Sequence, residues 1–444
     1  MWDRFLFKQI DNSPLLIFRI FFGILVSLEC FGAIATGWVK RNLIDPEFTF
    51  NFIGFDWLQP LPGIGMYLYF IVMGSLGICI ALGYRYRWTT AAFTLLWTAV
   101  YLMQKTAYNN HYYLLVLIAL IMAFMPANRD YSLDAKRNPS IRTNHMSAYL
   151  KWMVVLQLFI VYTYAAMAKL YGDWLDFSII EILFKNRKSY PLIGELLQEP
   201  MMHRVVGVSG ILFDLLIVPA LLWKPTRKWA FLASLFFHLF NSIVFQIGIF
   251  PYLSLAFTVF FFEPETIRKL FFKKKEPYLG NTLLVPPQRA LVLGILSLYF
   301  FVQLALPIRH HFIQDDVLWT EEGHRLSWRM MLRSRNGITS FRIVNHSNGN
   351  SYPVKLDDYL TKGQKSKVKC YPDFIWQFAQ RLKQEYAEKG EDVSVFVYSR
   401  LSVNGKPYQE FIDPKIDLGS VSWNYFGHNA WILPSPTHPI RNAQ

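Results

Sequence analysis

Apolar residues gather in long blocks along the first two thirds of this chain and stop doing so beyond Pro307. The blocks are roughly 17–24 residues long, the length of helix that crosses a hydrocarbon core. Nine spans are predicted, at roughly 15–38, 63–83, 89–105, 112–127, 148–170, 207–223, 229–248, 250–263 and 290–307; the fourth and eighth are the shortest. The first block carries Arg19 and Glu29 and offers no small-residue cleavage site, so it is expected to stay as a span rather than be removed as a signal peptide.

After Pro307 the period of the pattern changes. Phe341–Val344 and Tyr352–Leu356 flank a turn-rich Asn345–Asn350 segment, which predicts a hairpin. Phe374, Ile375, Phe378 and Leu382 have helical spacing within Asp373–Lys389. Asp392–Ser399 alternates as a strand does, and Asn404-Gly405 turns it toward a partner near Tyr408–Ile412. The expected architecture is a polytopic α-helical membrane protein of about nine transmembrane helices, residues 1–307. A C-terminal α+β extracytoplasmic domain, residues 308–444, follows with no long linker and should pack on the helices.

Composition agrees with a membrane chain: of 444 residues 53% are hydrophobic and 17% charged. The net charge of +14 does not point to nucleic acid, because the cations sit between spans rather than in a basic arm. They are richest in segments 1–14, 84–88, 128–147, 224–228 and 264–289, which puts the N-terminus in the cytoplasm. Nine spans then carry the C-terminal domain to the other side. Cys30, Cys79 and Cys370 lack metal-ligand spacing and make no disulfide framework. Phosphate-binding glycine loops, nucleophile elbows and His/Cys metal arrays are absent from the sequence, so no metal is expected.

Four polar features interrupt the apolar pattern. Lys169 lies at the end of the fifth span, where an amine either snorkels toward Asp173 or is desolvated and free to act as a base. Asn109-Asn110-His111 opens the fourth span, either as a helix cap with an interfacial His or as a proton-handling group. His238, Asn241 and Ser242 share one helix face, extended by Gln246, and either line a cavity or bind helices together. Asp214 is a carboxylate within a span and must find a partner, for which Arg19 is favoured. The aromatic content of 17% suits membrane packing and would also suit a flat hydrophobic ligand such as a quinone.

The chain resembles vitamin K-dependent γ-glutamyl carboxylase and its bacterial relatives, proteins with an HTTM membrane domain. The resemblance runs through Phe18-Arg19-Ile-Phe-Phe-Gly23, Lys105-Thr-Ala-Tyr-Asn109-Asn110-His111, Asp130-Tyr-Ser132-Leu-Asp134 and Val161-Tyr162. It continues with Lys169-Leu170, Asp173-Trp174, Phe237-His238, Asn241-Ser242 and Ile247-Gly248. In the C-terminal part it includes Ser327-Trp328-Arg-Met330-Met331-Leu-Arg-Ser334-Arg335 and Phe411-Ile412-Asp413-Pro414.

This resemblance implies an enzyme. Reduced vitamin K, as phylloquinol or menaquinol, would react with O2 to give a strong base and end as its epoxide. That base would take a γ-hydrogen from a peptidyl glutamate, which would then capture CO2. Lys169 matches the family's base, and His111 with Asn110 the group assisting oxygenation. Trp328 and Arg335 fall in the segment of substrate contact, and His238, Asn241 and Ser242 are expected to bind the cofactor. The implied partners are a Glu-containing peptide, the lipid membrane and a quinone-reducing enzyme. The short end after Trp431 suggests a bacterial inner-membrane protein with a periplasmic C-terminal domain. Two other functions stay open: a quinol epoxidase that does not carboxylate protein, and a non-enzymatic quinone- or lipid-binding membrane protein.

Overall fold

The structure, a computed structural model, describes residues 2–436. The end of the predicted outer domain, 437–444, lies outside the described residues. Every apolar block is helical. We label these helices α1 (Ser13–Ala35), α2 (Gly65–Leu82), α3 (Tyr86–Met103), α4 (Asn110–Phe124), α5 (Ala148–Ala168), α6 (Pro200–Leu222), α7 (Arg227–Phe245), α8 (Phe250–Phe257) and α9 (Arg289–Ile308).

The expected count of nine spans is only partly met. Among the described residues, six helices are both long and apolar enough to cross a membrane: α1, α2, α5, α6, α7 and α9. The other three fall short for different reasons. Helix α3 carries Arg87, Thr89, Thr90 and Thr94, and Thr90 and Thr94 bond back to the carbonyls of Tyr86 and Thr90, each at 2.7 Å. Helix α4 has 15 residues, and α8 has 8 before tightening into a 3₁₀ turn at Thr258–Phe260.

Small residues let α1 and α2 approach closely. A Cβ placed on Gly77 would sit 2.8 Å from the Ser27 nitrogen and 2.9 Å from the Gly23 carbonyl oxygen. Ser27 Oγ donates to the Gly74 carbonyl at 2.9 Å across the same seam. Arg19 turns to the helix ends, donating to the carbonyls of Ala127 (2.8 Å) and Tyr131 (2.6 Å). It therefore holds the α4–α5 connection and is not the partner of Asp214.

The segments richest in cations meet at one end of the helices. Gln9–Asp11 pairs antiparallel with His145–Ser147. The buried Lys275 ammonium binds both oxygens of Asp11 at 2.9 Å. The opposite end is covered by the C-terminal region. There a four-stranded antiparallel sheet is formed by β1 (Arg335–Asn345), β2 (Ser351–Pro353), β3 (Val393–Val403) and β4 (Gln409–Ile412), in the order β2-β1-β3-β4. Helix α10 (Pro372–Glu388) lies on it, with the Phe378 ring 4.9 Å from Phe341 and edge-on. Alternation in β1 and the helical spacing in α10 bring Phe341, Ile343, Ile375 and Leu382 into one core.

This region packs directly on the helices, as the missing linker predicts. Lys105, just past α3, pairs with Asp373 at the start of α10, both buried. At the β3–β4 turn Asn404 and Gly405 have φ of 53° and 75°, the left-handed pair that the Asn-Gly signal requires. That turn reaches the α5–α6 connection: Asn404 Nδ2 donates to Asp173 at 2.8 Å, and Lys406 pairs with Asp173 at 2.9 Å.

Candidate functional site

Helix α4 starts at the end of the bundle that the outer sheet covers. Asn109 caps it, accepting from the Tyr112 N–H at 2.7 Å. The cap puts Asn110 and His111 in the first turn, beneath the outer domain. Asn110 Oδ1 accepts from the Tyr108 hydroxyl at 2.9 Å, and its amide donates to the Arg329 carbonyl at 3.2 Å. The His111 ring stacks on Phe250 at 3.9 Å, which fixes the plane of the imidazole.

A cavity of about 830 Å³ opens on these residues. The helices contribute Glu29, Trp38, Asn110, His111, Tyr112 and Gln246 to its wall, and the outer domain contributes His324, Arg329, Met330, Arg333 and Tyr371. It is therefore a space between the two parts of the chain, which neither part builds alone. Its floor is apolar and aromatic and its outer wall is cationic.

The outer wall is rich in arginine because Glu321 and Asp373 gather it. Arg333 binds the Glu321 carboxylate through two nitrogens, and Arg325 pairs with Asp373 at 2.8 Å. Burial opposes ionisation of Asp373, but Arg325 and Lys105 outweigh it and hold the carboxyl below its usual range. His324 is buried; among the described residues neither ring nitrogen is hydrogen-bonded, and Nδ1 lies 3.9 Å from the Glu321 carboxylate. Its burial, with Arg333, Arg329 and Arg325 around it, keeps the imidazole well below its usual range and so neutral. Among the described residues Arg329 forms no ion pair and its buried Nε has no partner; Nη1 meets His310 Nε2 at 3.3 Å.

Lys169 is buried at the C-cap of α5. Its ammonium is bound by Asp214 of α6, bonds the Ala165 carbonyl at 3.3 Å, and lies 5.2 Å from the centre of the Trp174 ring. Asp173 is taken by Asn404 and Lys406, so the amine does not snorkel toward it. The expectation that Arg19 pairs with Asp214 is likewise overturned. The two lie near opposite ends of their bundle, and the carboxylate takes the nearer cation.

Lys169 does not line the cavity that holds His111. A row of side chains lies between them. Phe250 contacts His111 on one face and meets His238 edge-on at 5.9 Å, and His238 Nε2 lies 3.1 Å from the Tyr162 hydroxyl. His238 Nδ1 is buried, with no hydrogen-bond partner among the described residues. The shared face of His238, Asn241 and Ser242 splits in the fold. His238 is buried, whereas Asn241 and Ser242 are half-buried and Ser242 Oγ lies 3.0 Å from the Tyr252 hydroxyl. Only Gln246, at the end of that stripe, reaches the cavity wall, turned there by a φ of 51°.

The two expected substrate contacts are both interior. Trp328 is buried and stacks on Tyr113 at 4.9 Å. Arg335 is fully enclosed, donating to the carbonyls of Leu318, Trp319 and Cys370 and approaching Glu321. The neighbours Arg329 and Arg333 face the cavity instead. No His, Cys, Asp or Glu cluster that could hold a metal occurs among the described residues.

The helical part, residues 7–265, matches the family model described as HTTM domain. Residues 288–438 match that of the vitamin K-dependent gamma-carboxylase, lumenal domain. The chain belongs to the vitamin K-dependent gamma-carboxylase family. The lumenal match starts with α9 and places the C-terminal part of this carboxylase-family protein outside the cytoplasm. No solved structure matches the chain. Tyr112 and His324, which also line the cavity, carry no signal in the sequence that sets them apart. Glu29 does, since a carboxylate in an apolar block carries the same signal as Lys169.

Proposed function

We propose that this protein carboxylates peptidyl glutamate at the γ-carbon, driven by epoxidation of a quinol with O2 and CO2 as co-substrates. The observation that carries this reading is the cavity between the two family-matched parts, which joins Asn110-His111 to a cationic outer wall. In this reading residues 1–307 hold the quinol and residues 308–444 receive the peptide.

The residues fit a reduced naphthoquinone. Trp38, Tyr112, Ile247 and Met330 give a flat apolar wall, and His111 and Glu29 supply hydrogen-bonding groups beside it. When bound and oxidised by O2, the quinol supplies the strong base that abstraction of a γ-hydrogen demands. His111 holds a proton at an imidazole whose orientation Phe250 fixes. Lys169 is the proposed base, as the free amine left when its proton passes to Asp214, and Tyr162 and His238 are the proton-holding groups between it and the cavity. Arg329 and Arg333 are placed to receive the substrate carboxylate by charge-assisted hydrogen bonds, and Arg335 and Trp328 hold the wall that carries them.

The test is turnover of purified protein in detergent with reduced vitamin K, O2, labelled bicarbonate and a Glu-containing peptide. Both epoxide and labelled peptide are expected, with Lys169→Ala and His111→Ala yielding neither. Epoxide without label across a panel of Glu peptides would leave an epoxidase, and no epoxide above the Lys169→Ala level would overturn the enzymatic reading.

A further inference from the structure

The helices bring one carboxylate to the cavity wall, that of Glu29. Glu29 lies in the apolar run Ile24-Leu-Val-Ser-Leu-Glu29-Cys30 of α1, at a depth where a carboxylate is costly. Its expected compensation would be a cation, yet no ion pair to it occurs among the described residues. Its one hydrogen bond is from the Tyr112 hydroxyl to Oε1, at 2.7 Å. Tyr112 follows His111 in α4 and lines the same wall. The other oxygen, Oε2, lies beside Gly248, 4.0 Å from where a Cβ on that residue would sit. Gly248 also lines the cavity. One oxygen is thus held by the Tyr112 phenol, while among the described residues no hydrogen bond reaches the other, which belongs to the cavity wall. Leu28, Gly32, Ala33, Trp38 and Ile247 line the same wall, and among the described residues none of them hydrogen-bonds the carboxylate.

We propose that Glu29 is the acceptor that recognises a hydroxyl of the reduced ligand in this cavity and so discriminates the quinol from the quinone. A carboxylate accepts hydrogen bonds and donates none, so Oε2 suits an aromatic O–H and repels a carbonyl oxygen. Tyr112 occupies Oε1 and fixes the direction in which Oε2 presents its lone pairs. The other charged and titratable groups facing the cavity are Arg41, His111, His324, Arg329, Arg333 and Tyr371, together with Tyr108 beside Asn110. None of the arginines is bonded to Glu29; Arg41 Nη1 donates to the Thr36 carbonyl and Arg333 is bound by Glu321. The inference rests on the reading of the cavity as a quinol site and adds which redox state it selects, and by which atom.

Binding without turnover tests it. The whole protein in detergent is titrated under anaerobic conditions with 2-methyl-1,4-naphthoquinone and, separately, with its two-electron-reduced form, followed by tryptophan fluorescence. Trp38 in the wall serves as reporter. The wild type should favour the reduced form, and Glu29→Gln should weaken that form by about tenfold, equivalent to about 1.4 kcal/mol. The oxidised form should bind Glu29→Gln at least as tightly as the wild type, because the glutamine amide can donate to a carbonyl that the carboxylate repels. Tyr112→Phe, which keeps the carboxylate but frees it, should lower the reduced-to-oxidised preference by about threefold and serves where Glu29→Gln does not fold. Binding of both forms by the wild type with an unchanged preference in the variants would overturn the role of Glu29 alone. Failure of the wild type to bind either form would overturn the quinol reading and this inference with it.

Discussion

Replacing Asp214 by Ala leaves the Lys169 ammonium enclosed among helices α5 and α6 with the Ala165 carbonyl as its remaining hydrogen-bond partner. The side chains of Lys169 and Asp214 are 9% and 6% exposed, so water does little to screen or replace the lost charge. Breaking a buried pair by removing one partner costs about 3–5 kcal/mol. Unfolding entropies of about 2.1 cal/mol/K per residue, scaled to this chain, convert that cost to a fall of about 3–5 °C in unfolding temperature. Thermal unfolding in one detergent reads the shift directly. The double variant Lys169→Leu/Asp214→Leu removes both charges and keeps an apolar fill, and it should recover most of the loss. It should also be devoid of epoxide formation, which separates the stability of the pair from its chemistry. An Asp214→Ala protein that melts within about 1 °C of the wild type, or a double variant no better than the single one, would refute the view that the pair is a closed, desolvated unit.

Other consequences are simpler to state. Arg329→Ala should raise the KM for a Glu peptide at least tenfold (about 1.4 kcal/mol) while leaving quinol binding unchanged, whereas Arg335→Lys should lower the yield of folded protein because a lysine cannot serve the carbonyls of Leu318, Trp319 and Cys370 together. Steady-state kinetics and size-exclusion profiles tell these two outcomes apart. Glu322 takes the His428 Nδ1–H at 2.7 Å and, against the pull of burial, raises that imidazole above its usual range. The resulting stabilisation is complete below the ordinary histidine value of about 6.5 and is lost as pH climbs through the raised folded value. Limited proteolysis of the segment around His428 should therefore accelerate as the pH rises above about 6.5, and His428→Gln should abolish that dependence. Gly77→Val should prevent close packing of α1 on α2, since the added Cβ would already crowd Ser27 and Gly23, and should be seen as loss of monodisperse protein.

Much of the fold could be read along the chain because the bilayer and the β-pleat impose fixed periods on local sequence. The apolar blocks became α1–α9, the Asn404-Gly405 signal became the β3–β4 turn, and the spacing of Phe374, Ile375, Phe378 and Leu382 became the buried face of α10. The count of membrane-crossing helices was less legible, because the short α4 and α8 and the threonine-bearing α3 are completed by neighbours rather than by their own composition. Lys169, Asn110 and His111 stood out as polar residues in apolar surroundings, a property of sequence alone.

Which of them face the same space was decided only by tertiary structure. Asp214 took Lys169 and not Arg19, because the helix ends that hold Arg19 are remote from the end of α5. Arg335 turned inward while Arg329 and Arg333 faced the cavity, since Leu318, Trp319 and Cys370 supply carbonyls that enclose one guanidinium and leave the others. Glu29 and His324 reached the wall from segments almost 300 residues apart. Local period fixes which face of a helix is polar, but partner choice depends on distance and on competing acceptors, and both exist only once the helices and the outer domain have closed on one another.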